Sequence, residues 1–391
     1  MVVLTGSPTA DLRTSLPGLL CLAAASFLAV TTEMLPIGLL PQIARAFEVS
    51  DSATGLLVGL YAVMVAALAV PLTAVTARFA RKSLLLVTVA GYALSNTVVA
   101  AAPAFAAVAV GRTLGGVTHA LFFSLVIGYV PRLVSQAHVG RALALAGGGA
   151  SVGLVLGMPV LTALGTAAGW RYAFVVLAVL SAVTVVLLGR VLPAVEHDAD
   201  ESAARPGGRA RLAAVVSSNM LVFLGQFTVY TFISIILLAH GAEPALIGPI
   251  LMVCGACGLL GLWYGGRGLD RNPRRTTLIL LGATALTLVA LSVPWSVLWV
   301  VVVLVASWSI AFGGVPSIYQ SCAVRTHAMS PERAGAWINA TANVGIAGGS
   351  AIGAGVLGAG GLSVLPWVGA ALVGAGLIVA LAARGAFPAQ P

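Results

Sequence analysis

Twelve stretches of about 20 or more mostly apolar residues follow one another along this chain, more than any water-soluble core absorbs. They run at 16–40, 53–76, 83–102, 105–130, 142–165 and 171–189. After one polar stretch they resume at 212–239, 247–265, 276–293, 296–322, 335–359 and 363–383. A bilayer offers no partners to backbone N–H and C=O groups, so each stretch is expected to be a helix that satisfies its own. The composition agrees: 60% of the 391 residues are hydrophobic and 8% charged, against roughly 25% charged in soluble domains. Arg13 and the run from Leu16 to Ala25 look like a signal peptide, but the apolar run continues to Leu40 and reads as a retained first span. The expected fold class is an all-α membrane protein with twelve transmembrane helices.

The polar stretch carries Glu196, Asp198, Asp200 and Glu201, then Arg205, Arg209 and Arg211. It reads as a flexible linker with solvated charges, dividing the chain into a six-helix half (1–190), a linker (191–211) and a second six-helix half (212–391). The halves echo each other. Span 5 carries Gly149, Gly153 and Gly157, and span 11 carries Gly345, Gly349 and Gly353. A four-residue glycine spacing lets helix backbones approach closely, and its recurrence at the same ordinal position points to a duplicated unit. With a cytoplasmic N-terminus, every Lys and Arg except Arg45, Arg171 and the span-embedded Arg112 falls on the cytoplasmic side. That is the positive-inside pattern, so both termini are expected inside.

Several function classes are excluded. The net charge of +9 is scattered in short clusters with no basic arm or domain, which argues against nucleic acid. The four cysteines lie in apolar spans, so no disulfide framework is expected. Cys254-x-x-Cys257 sits inside a span without the βαβ context of a redox motif, and no metal site is expected. Gly149-Ala-Ser151-Val-Gly153 fits a hydrolase elbow in letters, but that motif needs a strand-turn-helix context. No phosphate-binding G-x-x-x-x-G-K-[ST] occurs, and the sole lysine, Lys82, follows Arg81. The chain reads as neither an enzyme nor an ATP-driven pump, and needs no cofactor.

Glu33 is the one carboxylate inside any of these spans, and such a charge costs at least a few kcal/mol. It lies about 7 Å to the outer side of the midpoint of span 1 at the rise of a helix. Arg112, in span 4, lies about 7 Å to the outer side by the same reckoning. The two are expected to form a competing pair whose separation sets proton affinity, and so couples transport to a proton gradient. The alternative is an ion pair that pins two helices. His119 shares a helix face with Arg112, about 10 Å further inward; it either titrates or bonds substrate in a cavity, or is a neutral histidine bonded within the bundle. Gln226 and Tyr230, one turn apart in span 7, suit either a polar organic solute or interhelical hydrogen bonds. Gln320, Asn339 and Asn343 lie towards the cytoplasmic ends of spans 10 and 11, where a gate or packing role is expected. Trp308 and Phe123 are candidate cavity aromatics, with plain packing as the alternative.

The loop after span 8, Gly266-Arg-Gly-Leu-Asp270-Arg271-Asn-Pro273-Arg274-Arg275, resembles the cytoplasmic loop signature of the major facilitator superfamily, with Pro273 in place of a glycine. The matching loop after span 2 keeps Arg78, Arg81 and Lys82 but has Thr73 and Ala80 for the glycines and Ala77 for the aspartate. Thr32-Glu33 with Gly38-Leu-Leu-Pro41-Gln-Ile-Ala44, and Gly111-Arg112-Thr-Leu-Gly115-Gly116-Val-Thr-His119-Ala-Leu-Phe122-Phe123, are similar to the first and fourth spans of twelve-span drug:proton antiporters of the arabinose-efflux-permease type. Gly153 and Gly157-Met-Pro159 resemble that group's antiporter motif in span 5, and Gly169-Trp170-Arg171 its start of span 6. The resemblance runs from about residue 17 to 383.

It implies two pseudo-symmetric six-helix bundles, with spans 1 and 4 lining a central cavity and the loop residues, with Asn339 and Asn343, forming a cytoplasmic gate. With Ala77 in the first loop, that gate is expected to rest on Asp270 and Arg271. The expected protein is a monomer of the bacterial inner membrane that exports a small organic solute, a drug, nucleoside, sugar or secondary metabolite, in exchange for protons. The alternatives are an uncoupled facilitator or importer of the same fold, and a non-transporting membrane sensor.

Overall fold

The computed structural model describes residues 12–76, 79–135, 139–193, 207–329 and 331–387. Among them are twelve helical segments long and apolar enough to cross a membrane, and no strand. Spans 1 to 4 are Leu12–Phe47, Asp51–Val75, Arg81–Ala100 and Phe105–Tyr129. Span 5 has three parts, Val139–Val152, a π-helical turn at Gly153–Gly157, and Met158–Ala168. Span 6 is Trp170–Val191. Span 7 is broken into Gly208–Tyr230 and Ile233–Ala239, and span 10 into Leu298–Gly313 and Val315–Arg325. Spans 8, 9, 11 and 12 are Pro244–Arg271, Pro273–Leu291, Pro331–Gly360 and Leu365–Ala382. Arg209 and Arg211 therefore belong to the first turns of span 7 rather than to the linker. The linker's acidic residues and Arg205 lie outside the described residues.

The interruptions have local causes. Pro159 has no N–H for Val155 O, and the preceding turn widens so that Met158 N–H reaches Gly153 O. Pro316 likewise leaves Phe312 O without its usual partner, and Gly314 N–H takes it instead. In span 7 the Thr231 hydroxyl donates to Phe227 O at 2.7 Å, the acceptor its own N–H would use, while that N–H turns to Val229 O. Span 9 starts crisply where the loop signature has Pro273 in place of glycine. Asn272 Oδ1 accepts from Arg275 N–H at 2.9 Å, and proline at the first helical position loses no bond the helix needs.

The two halves pack in parallel ways. A Cβ on Gly153 would lie 2.6 Å from Phe27 O, and one on Gly345 would lie 2.5 Å from Phe223 Cβ. The glycine stripes of spans 5 and 11 thus seat directly on spans 1 and 7. Lys82 Nζ donates to Gly189 O at 2.8 Å, at the end of span 6, and Arg274 Nη2 to Leu381 O at 2.9 Å, at the end of span 12. Each cation satisfies a terminal carbonyl and complements the negative end of a helix.

The halves meet on the side of the membrane that holds the turn at residues 47–51. Ser52 Oγ donates to Ala354 O at 2.7 Å, and Ser234 Oγ to Ile37 O at 2.9 Å. A Cβ on Gly248 of span 8 would lie 2.8 Å from Pro159 O of span 5. Nearer the termini, a Cβ on Gly147 or Gly148 of span 5, or on Gly266 of span 8, would meet nothing within 4 Å. The Ser234 contact has a sequence cause, because Pro41 removes the N–H that Ile37 O would accept. Ser234→Ala is expected to free this carbonyl and loosen the closed side. The loss of about 1 kcal/mol shifts the open-to-closed ratio about fivefold. Spin labels at Ala46→Cys and Ala359→Cys, in a background without the native cysteines, should show a larger long-distance population; an unchanged distance distribution counts against this latch.

Candidate functional site

The site is built on spans 1 to 4, and it assembles because Arg112 is anchored to main chain. Its Nη1 donates to Thr32 O at 2.7 Å, its Nη2 to Glu33 O at 2.8 Å and its Nε to Leu57 O at 3.3 Å. The guanidinium also lies over the Tyr61 ring, 4.2 Å from its centroid. Pro36 explains the shortest of these bonds: it has no N–H for Thr32 O, four residues earlier, and the guanidinium supplies the missing donor. Only a planar fork of several donors reaches carbonyls on two helices at once. Arg112 is 1% exposed, and a cation so placed is tolerable because carbonyl dipoles and a ring face surround it.

The expected side-chain ion pair between Glu33 and Arg112 is not formed. The Glu33 carboxylate instead faces His119, with Oε2 3.7 Å from Nε2. The reason is the lean of helical side chains towards the N-terminus of their own helix. Spans 1 and 4 are antiparallel, so Glu33 leans towards the end of the membrane that holds the N-terminus, and His119 and Arg112 lean the opposite way. Glu33 and His119 converge, while Arg112 overshoots the carboxylate and reaches the backbone. Equal depth of Cα atoms did not predict which side chains meet.

His119 is central to this group. Its Nδ1 shares a hydrogen bond of 2.9 Å with the Tyr61 hydroxyl. The rings of Tyr61, Phe123 and Tyr92 surround it, with centroids 5.4, 5.2 and 6.1 Å away. Glu33 and His119 are both buried, at 6% and 2% exposure. Asn96 Nδ2 donates to Thr32 Oγ1 at 3.0 Å. The result is a contiguous set of titratable and hydroxyl groups, Glu33, His119 and Tyr61, beside a fixed cation. Such a set can accept, pass on and release a proton. Tyr61, Tyr92 and Asn96 were not among the sequence candidates. Their only signal was a polar tip at mid-depth in an apolar span.

The second-half candidates form their own cluster. Trp308 Nε1 donates to Gln226 Oε1 at 2.8 Å, and Tyr230 packs edge-on against Trp308 with centroids 5.9 Å apart. The Tyr230 hydroxyl reaches across the halves to Met158 Sδ at 3.9 Å. Met34, Met158, Phe227 and Trp308 belong to one apolar cluster that joins the halves. Gly153, Gly157 and Pro159 bound the π-helical turn of span 5, where Thr31 Oγ1 donates to Gly153 O at 3.4 Å.

The loop candidates do not join either cluster. Asn343 Nδ2 donates within its own helix to Asn339 O at 2.9 Å. Lys82 and Arg274 close helix ends within their own halves, and Gly266 faces open space. Arg81 has partners, and Arg275 contributes its backbone N–H to the Asn272 cap. Arg78 lies outside the described residues, as do the side chains of Asp270 and Arg271.

Comparison with known proteins settles the family. Residues 22–335 match the Major Facilitator Superfamily. The chain belongs to that superfamily. A chloramphenicol efflux pump of Mycobacterium tuberculosis is 35% identical over 272 residues, covering 68% of this chain; the matched chain spans 65% of that relative's length. The inner membrane transport protein YdhP of Escherichia coli O157:H7 is 32% identical over 374 residues, covering 92% of this chain and 94% of the relative. A D-xylose-proton symporter crystal structure superposes with a TM-score of 0.75 at 14% identity, covering 96% of this chain and 98% of that one. The major facilitator fold of twelve helices is thereby shown, and the chain is a multi-pass membrane protein of a transporter family with bacterial relatives.

Proposed function

We propose that this chain exports a small organic solute from a bacterial cytoplasm in exchange for protons, by alternating access between its two halves. The reading rests on one observation above all: the sole intramembrane carboxylate faces a buried histidine at 3.7 Å, and that histidine is bonded to a tyrosine. A separation of 3.7 Å is beyond a direct hydrogen bond, so a small rotation of either side chain makes or breaks it. Movement of span 1 against span 4 therefore changes how strongly Glu33 holds a proton. The efflux direction draws on the chloramphenicol efflux pump relative.

In this reading both termini are cytoplasmic, as the basic residues indicate. The side on which Ser234 and Ser52 tie the halves together is then the outer one, closed in this state. Opening to the outside requires those two bonds and the Gly248–Pro159 contact to separate. The protein works as a monomer on the proton gradient alone, without a cofactor.

Acidified inverted vesicles containing the protein, with a pH-sensitive dye in the lumen, test the exchange. Addition of a transported solute is expected to release lumenal protons, and vesicles without the protein should not respond. Solute entry with no proton release would make the protein a facilitator.

A further inference from the structure

In the second half of the chain, every Asp, Glu, Lys and Arg lies near the end of a span or between spans. At mid-depth, bordering the apolar cluster that joins the halves, that half presents Gln226 and Tyr230 among Phe223, Phe227, Trp308 and Phe312. The Trp308 indole is a donor only, so the atom it holds at 2.8 Å must be the amide oxygen of Gln226. This bond sets the amide's orientation and turns Nε2 the other way. Among the described residues that nitrogen has no hydrogen-bond partner. The Tyr230 hydroxyl has one long contact, with Met158 Sδ at 3.9 Å, beside the break in span 7.

In the first half, Arg112 is taken up by three carbonyls and a ring, and Glu33 faces His119 at 3.7 Å, beyond a direct hydrogen bond. An ion resting on the second half would find no countercharge there, and an uncompensated charge in such surroundings is costly. Aromatic faces attract cations, but here rings pack on one another: Phe223 stacks on Phe227 at 6.1 Å, and Tyr230 meets Trp308 edge-on.

We propose, resting on the export reading above, that the solute is uncharged and that the Gln226 Nε2 amide, locked by Trp308, donates to an oxygen acceptor on it while the aromatic wall covers its apolar face. Carbonyl, nitro and hydroxyl-bearing neutral molecules fit this description; lipophilic cations do not. Gln226 and Trp308 select the solute, and Glu33 is left free for the proton.

Equilibrium binding to the purified full-length protein, with no proton gradient, tests this apart from coupling. The probes are chloramphenicol and a panel of other uncharged acceptor-bearing solutes against tetraphenylphosphonium. Wild type is expected to bind at least one neutral probe saturably and to ignore the cation. Gln226→Leu should weaken neutral binding about tenfold. Trp308→Phe, which keeps a ring but releases the amide, should weaken it several-fold in protein that still folds, with a melting temperature lowered by the lost indole volume. Gln226→Glu should gain affinity for the cation. A wild-type protein that binds tetraphenylphosphonium, or binds no neutral probe, overturns the proposal, as does unaltered binding in both Gln226→Leu and Trp308→Phe. Failure of the export reading appears elsewhere, as solute entry without lumenal proton release.

Discussion

Glu33→Gln is expected to abolish uphill export while leaving the protein folded and able to bind solute. Glutamine keeps the shape and hydrogen-bonding capacity of the side chain but cannot take up or release a proton, so the face opposite His119 no longer changes between states. A membrane potential of 100 mV supplies about 2.3 kcal/mol per charge, enough for a roughly 50-fold solute gradient at one charge per cycle. Without coupling, the steady-state ratio across energised vesicles should fall to about 1, because an uncoupled carrier only equilibrates its solute. Counterflow of labelled solute should persist, and folding should not suffer, since the change removes a buried charge that costs energy to hold. A Glu33→Gln protein that still accumulates solute against a gradient would remove this carboxylate from the coupling mechanism.

The second large effect is expected at Arg112, which pins helices as the sequence alternative had it, but through main-chain carbonyls rather than an ion pair. Its guanidinium joins spans 1, 2 and 4 through main-chain acceptors, and one of these, Thr32 O, lacks a helical partner because of Pro36. Arg112→Met should lower stability by about 2–3 kcal/mol, the cost of leaving buried polar groups unpaired, and should halt transport. Arg112→Lys should also fail, because one ammonium cannot span the carbonyls of Thr32, Glu33 and Leu57. The diagnostic experiment is a cycle with Pro36→Ala. Alanine restores the N–H that Thr32 O lacks, so the Arg112→Met penalty should shrink by about 1 kcal/mol in that background. Additive effects in thermal unfolding would mean that the proline and the arginine act independently, and that the ordinary cost of removing a buried cation is the whole story.

These two predictions also mark how far the sequence could be read. Glu33 and Arg112 stood out because charge at membrane depth is expensive wherever it occurs, and that cost needs no knowledge of neighbours. Their partners were another matter. Arg112 is satisfied by carbonyl oxygens, which every residue carries, and the one hint of a vacant acceptor was Pro36. His119 was placed well inward of Arg112 by helical rise, yet it meets Glu33 because antiparallel helices lean their side chains towards one another. Tyr61, Tyr92 and Asn96 each look like one more polar tip in an apolar run, a pattern that bundles use often for packing alone. Gln226 and Trp308 were separate candidates whose bond at 2.8 Å only the packing of spans 7 and 10 brings about.

The ends of the spans followed the same division. The apolar runs located each helix, whereas the breaks in spans 5, 7 and 10 depended on prolines and one threonine acting within a single turn. The number of spans and the paired glycine stripes were legible because transfer into lipid is a local property, summed over about 20 adjacent residues. So was the family, since its motifs are short and contiguous. The partner of Glu33, the acceptors of Arg112 and the side on which the halves close rest on residues far apart in the chain, such as Glu33 with His119 and Ile37 with Ser234. Those pairings follow from the rotation and register of whole helices, which tertiary packing alone decides.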